Sequence, residues 1–181
     1  MRISFVILIG FVFFISCNQN GDIYKTKTGA YASDSGRFEA RFPSVPLLDI
    51  ENIKDGDYDF QVFNYKSILE PHQIFSVDYR DYPSEIFKDI SDEDFLNNIA
   101  TNYISSISIN LKFGDIETIE DKDFKGIYLK FKPREHPDVK PMAHVKIIKK
   151  ENRVYYISYV GSYNDKIDTF MKSFKIKKLS I

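Results

Sequence analysis

From residue 36 onward, apolar and polar positions alternate in short runs broken by Pro, Gly and Asp, and twice the spacing turns helical. Phe38, Ala40 and Phe42 alternate with polar or charged partners and stop at Pro43 and Pro46, which predicts a strand ending there. Leu47, Leu48, Ile50 and Ile53 predict a second strand, and Asp55-Gly56 marks a hairpin turn. Residues 58–69 and 73–79 predict the third and fourth, closed by Pro83. Ser91 with Asp94 three places on has the spacing of a capping box, and Phe95, Ile99 and Tyr103, backed by Leu96, Ala100 and Ile107, share one helical face. Four more strands are predicted over 109–120, 124–132, 142–150 and 154–160. A last helix is predicted from Ser162, paired with Asp165 at capping distance, with Ile167, Phe170, Met171 and Phe174 as its apolar stripe. Runs of strands with one middle helix and one terminal helix predict an α+β fold built on a largely antiparallel sheet.

The first residues follow a different pattern. Residues 3–16 are almost wholly apolar after Met1-Arg2, too few for a membrane-spanning helix of about 20 residues but right for the apolar centre of a signal peptide. Cys17, the only cysteine, follows Ser16 directly. This resembles a bacterial lipobox, although Phe14 stands where that motif usually has Leu. The resemblance implies cleavage between Ser16 and Cys17 and a diacylglycerol on the thiol. Several acyl chains are what durable anchoring needs, since one alone binds a bilayer marginally. Residues 1–16 are then expected as the signal, 17–35 as the lipidated cysteine and a flexible tether, and 36–181 as the globular domain. Asn18, rather than Asp, resembles the sorting pattern of outer-membrane lipoproteins.

Composition narrows the class further. A chain of 181 residues with 16 Phe, 12 Tyr and no Trp favours half-buried pleated surfaces. A formal charge of −1 argues against a nucleic-acid partner, because phosphate neutralisation needs an excess of Lys and Arg. One cysteine excludes an intrachain disulfide and a cysteine metal cluster.

The order of segments resembles the PsbP/Mog1-like domains. SGRFEARFPSVP looks like their opening strand and proline pair, FSVDYRDYP like their central strand, and GIYLKF, RVYYISYVG and FMKSFKI like their closing strand–strand–helix run. The likeness spans residues 36–176 and implies one antiparallel sheet sandwiched by helices, an α/β/α arrangement. Members include a photosystem II extrinsic subunit, a partner of the Ran GTPase and many bacterial lipoproteins, most of them binding or assembly modules, and no family-wide catalytic residues carry over.

Motifs for chemistry are few. Asp55, Asp57 and Asp59 open like a calcium loop, but Phe60 and Lys66 stand where Gly and Glu are required. His72, His136 and His144 lack metal-ligand spacing, and no Gly-x-Ser-x-Gly is present. The proline-rich loop KPREHPDVKP places Glu135, His136 and Asp138 together and is the one candidate binding loop. Tyr155 and Tyr159 are expected on one sheet face and Tyr156 on the other. Lys146, Lys149, Lys150, Arg153, Lys175, Lys177 and Lys178 are a candidate basic patch.

These features predict a lipid-anchored, non-catalytic binding or assembly module of the bacterial envelope, without cofactor or metal. Its expected partners are the membrane, through Cys17, and an envelope protein. The alternatives are an envelope enzyme using the loop around His136 and a structural subunit of an envelope complex.

Overall fold

The computed structural model describes residues 22–55, 58–69, 72–107, 111–135, 140 and 142–177. Ser16, Cys17, His136, Asp138 and Lys178 lie outside the described residues, as does the whole signal segment.

Seven long strands form the main sheet: β4 (Leu47–Asp55), β5 (Tyr58–Leu69), β6 (Gln73–Asp81), β7 (Leu111–Asp121), β8 (Phe124–Pro133), β9 (Ala143–Lys150) and β10 (Arg153–Val160). Their order is β4-β5-β6-β10-β9-β8-β7, all neighbours antiparallel. Two meanders therefore meet where β6 pairs with β10. The tight hairpins fall where short polar turns interrupt the alternation: Lys122-Asp123 joins β7 to β8, and Glu151-Asn152 joins β9 to β10 with Glu151 at φ 54°. Gly114 lies at a register shift in β7, where the Lys130 carbonyl approaches to 3.1 Å of the place a Cβ would occupy. Edge strand β7 carries Lys112, Asp115, Glu117, Glu120 and Asp121, charges that discourage pairing with another chain.

Helix α1 (Asp92–Ile107) crosses from the first meander to the second. Its cap forms as the spacing predicts: the Asp94 amide donates to Ser91 Oγ at 3.1 Å, and Ser91 Oγ donates to Asp94 Oδ2 at 2.6 Å. Phe95, Leu96 and Ala100 are buried against Ile127, Leu129, Phe131, Val145, Ile147 and Tyr156, with Ile99, Tyr103 and Ile107 at the margin. Lys149, almost fully buried, reaches Asp92 in the first turn at 2.8 Å and lies 4.1 Å above the Phe87 ring, so it fixes where the helix starts.

The opposite face is closed differently. Three-residue strands β1 (Ile23–Lys25), β2 (Tyr31–Ser33) and β3 (Phe38–Ala40) join the two-residue β11 (Lys175–Ile176) in a second sheet of order β1-β2-β3-β11. Helix α2 (Lys166–Ser173) buries Ile167, Phe170 and Met171 beside it. Each such side chain contributes about 1.5–3 kcal/mol on burial. Together they cover Tyr65, Phe75, Val77, Tyr79, Tyr155, Ile157 and Tyr159.

The expected single sheet sandwiched by helices, α/β/α, does not form. There are two sheets, and one layer is a small sheet with a single short helix beside it. Strands of two or three residues are too short to show a period, so residues 23–33 read as tether while they in fact begin the folded domain. Helix α2 also starts later than Ser162: Asp165 makes no side-chain cap, and Asn164 Oδ1 accepts from the Lys166 amide at 2.8 Å. Gly161, at φ 145° and with His72 O only 2.8 Å from a Cβ position, spends the intervening residues on a turn.

Candidate functional site

Residues paired across a sheet share a face, so register determines which side chains meet. One row runs Asp49, Asn64, Asp78, Tyr156, Ile147 and Ile127 across β4, β5, β6, β10, β9 and β8. Its right-hand end lies in the apolar core under α1. Towards β4 and β5 the face is bare, with Leu47, Ile53 and Ile68 exposed. Asn64 and Asp78 stand at the border between the two.

This border holds polar atoms without partners. Asn64 Oδ1, Asp78 Oδ1 and Arg80 Nε are each sealed from solvent and make no hydrogen bond. Buried polar groups are nearly always satisfied, so three adjacent exceptions point to something that belongs there. Arg80 is oriented by its other atoms: Nη2 donates to Tyr156 Oη at 3.0 Å, and the guanidinium lies 5.4 Å from the Tyr82 ring centre. Tyr103 reaches over from α1 and stacks on Tyr156 at 6.4 Å. Ser76 and Ser158 hydrogen-bond at 2.7 Å in the neighbouring row. Burial pushes the Asp78 pKa up to about 7, against the pull of Lys66, Arg80 and the Ser76 hydroxyl. Burial likewise pushes Tyr103 up to about 12, with the charge of Asp78 adding to it. With Asp78 ionised, these are two sealed acceptors beside one sealed donor, a set matched by a group that both donates and accepts, such as a hydroxyl.

A second polar cluster clamps the start of the domain. The Asp22 carboxylate accepts from Ser33 Oγ at 2.7 Å, from Tyr65 Oη at 3.0 Å and from the Ser35 amide. Burial works to raise the Asp22 pKa, but the donated bonds outweigh it and hold the carboxyl below the usual range. Arg153 completes the same end of the molecule, forked onto both Asp81 oxygens at 2.6 Å and donating to the Ser35 carbonyl at 2.6 Å.

The predicted loop is less developed. Glu135 is exposed just beyond β8, and its companions His136 and Asp138 lie outside the described residues. The six described cations of the candidate basic patch are not brought together. Lys149 serves α1, Arg153 serves Asp81, Lys146 donates to the Met171 carbonyl at 2.7 Å, and Lys177 pairs with Asp34. Tyr155 and Tyr159 do share one core and Tyr156 the other. His144, within β9, hydrogen-bonds Tyr128 Oη through Nδ1 at 2.7 Å. Among the described residues no group of three or more His, Cys, Asp or Glu is placed to hold a metal ion, and no helix is long and apolar enough to cross a membrane. Sequence reasoning passed over Asn64, Asp78 and Arg80. Their signal was a polar phase in two strands, FNYKS and SVDYR, whose neighbours are apolar.

Against solved structures, the chain matches the solution structure of cyanobacterial PsbP (CyanoP) from Synechocystis sp. PCC 6803, at 10% identity and a TM-score of 0.51. The match covers 81% of this chain and 91% of that one. The fold is PsbP-like. No family model and no curated protein matches the chain. At this identity the likeness concerns the PsbP-like architecture alone, and the Asn64–Asp78–Arg80 border rests on its own geometry.

Proposed function

We propose that this PsbP-like protein is a lipid-anchored, non-catalytic binding module of the bacterial envelope, tied to the outer membrane through Cys17. The observation that carries the binding role is the trio of sealed, unpartnered atoms on Asn64, Asp78 and Arg80 at the edge of a bare sheet face. Such a border suits a ligand rich in hydroxyl groups: its hydroxyls donate to the two acceptors and accept from Arg80, while the ring of Tyr82 offers a flat neighbour. The anchoring role is supported by the apolar run that ends at Ser16-Cys17.

Two measurements test this reading. Mass analysis of the native chain from bacterial membranes is expected to find a diacylglycerol on an amino-terminal Cys17. Titration of isotope-labelled protein with envelope polysaccharide fragments is expected to move the Asn64 side-chain amide signal, and Asp78→Ala should abolish that shift. An unmodified Cys17 would remove the anchor, and an Asn64 signal indifferent to every polyhydroxylated ligand would remove the site. Turnover of any ligand, lost on a single side-chain substitution, would make the protein an enzyme instead.

A further inference from the structure

The charges of the molecule are divided between its two layers. Residues 22–42 and 162–177, which build the small sheet and α2, carry eight Lys and Arg against five Asp and Glu. The described residues of 43–161, which build the main sheet and α1, carry fifteen against eighteen. One layer is therefore positive by three and the other negative by three. On the positive layer, two adjoining depressions of about 350 and 370 Å³ run between the turn at Thr28, strand β3 and helix α2. Arg41, Lys166, Lys172 and Lys175 line them against two carboxylates, Glu39 and Asp165, so the lining keeps a cationic excess of two. Lys172 and Lys175 are 77% and 72% exposed there, and they pair across the surface with Asp168 at 3.2 Å and Glu39 at 3.9 Å, solvated contacts that headgroup phosphates can compete with.

The tether restricts where this layer can go. Asp22 is clamped to Ser33, Ser35 and Tyr65, and it follows Cys17 by five residues in the chain. Five residue steps span at most about 18 Å even when fully extended. A domain of this size is roughly 40 Å across, more than twice that reach. The end carrying Asp22 is thus held at the lipid surface, and Tyr24 beside it is 42% exposed. Tyrosine favours the headgroup level of a bilayer.

From this division of charge and this short reach we infer that the small-sheet layer docks flat against the bilayer, with Arg41, Lys166, Lys172 and Lys175 meeting anionic phospholipid headgroups. The acidic main sheet then faces away, repelled by the same surface. The bare face of β4 and β5, which the border around Asp78 adjoins, is left open to the aqueous side. The inference takes its tether from the anchored reading above, and its face from charge alone.

The test uses the lipidated chain in vesicles of phosphatidylglycerol and phosphatidylethanolamine, compared with phosphatidylcholine. Lysines are acylated with a water-soluble reagent, and their reactivities are read by mass spectrometry. In anionic vesicles Lys166, Lys172 and Lys175 are expected to react at least about fivefold more slowly than in zwitterionic ones, while Lys88 and Lys122 on the other layer react alike in both. High salt should remove the protection. In the double variant Lys172→Glu/Lys175→Glu, Lys166 should lose its protection as well. Equal reactivity in both vesicles, or protection of Lys88 and Lys122 instead, overturns the inference. If mass analysis finds Cys17 without lipid, the anchored reading falls separately, and the face is decided by whether the unlipidated chain adsorbs to anionic vesicles at low salt; no adsorption sinks it too.

Discussion

Tyr65 Oη donates to the carboxylate of Asp22 at 3.0 Å, joining the first described residue of the domain to β5, next to the edge of the main sheet. The same hydroxyl lies 3.0 Å from Ser33 Oγ, so strands β1 and β2 are tied to β5 through one phenol. Removing that oxygen leaves the ring packed against Phe38 but frees the clamp. Tyr65→Phe is expected to cost about 1–2 kcal/mol in urea unfolding with an unchanged m-value. Amide exchange should rise first in residues 23–25. Because the Asp22 pKa is lowered in the folded state, its contribution is present above the ordinary carboxylate range and is lost as pH falls through the lowered value. In Tyr65→Phe that acid-side loss should be shallower.

Asp78 carries the opposite sign. Its pKa is raised from 3.8 to about 7, so the folded state binds more protons than the unfolded one across that interval. Stability from this group is complete below pH 4 and is lost as pH rises through 7. Asp78→Asn keeps the size and removes the charge. At pH 8 it is expected to be more stable than the parent by an amount on the order of 2–4 kcal/mol. At pH 4 the two should unfold together. A difference that does not depend on pH would show that Asp78 stays ionised in the folded protein.

How far these features could be read in advance depends on the distance between the residues involved. Ser91 and Asp94 are three apart, and their cap was legible because a helix fixes that spacing locally. The opposite burial of Tyr155 and Tyr156 was legible because strand parity is local too. Asn64, Asp78 and Tyr156 meet only because β6 pairs with β5 on one side and β10 on the other. Nothing near residue 78 announces that β10 will arrive there after α1 and three further strands. The small sheet was hidden for a different reason. Ile23, Lys25 and Tyr31 sit in strands of three residues, too short for alternation, and their stability comes from the layer they cover. Period alone makes this segment a tether, and the resemblance to PsbP/Mog1-like domains implies helices over the face that β1, β2, β3 and β11 close.

Gly126 is a point where close approach, not turn geometry, requires glycine. A Cβ there would sit 2.7 Å from the Ile147 carbonyl oxygen and 3.1 Å from Ile148 Cγ1. Both contacts belong to β9, the strand that pairs with β8 through Gly126 and Ile148. The oxygen is backbone within a ladder and cannot step aside without moving the strand. Gly126→Ala is therefore expected to destabilise by about 1–3 kcal/mol, measured as a fall in the denaturant midpoint. Gly29, at φ 82° with nothing within 4 Å of its Cβ position, supplies the contrast. Ala there should lose only the cost of a left-handed backbone, about 1 kcal/mol.

The lone thiol separates folding from placement. Cys17 precedes the clamp at Asp22, and among the described residues both apolar cores are built from Ile23 onward. Cys17→Ala should therefore leave the thermal midpoint of the domain unchanged to within about 1 °C. What it should abolish is incorporation of radiolabelled palmitate, together with cleavage between Ser16 and Cys17, since the resemblance to a lipobox makes the modified cysteine the cleavage signal. The variant is then expected as an uncut, unlabelled chain that is larger than the parent by the retained leader. Normal release of a mature chain from Cys17→Ala, equal in mass to the parent without its lipid, would mean that an ordinary secretory signal ends there. A lower thermal midpoint in the variant would mean that the segment before Asp22 packs on the domain rather than merely tethering it.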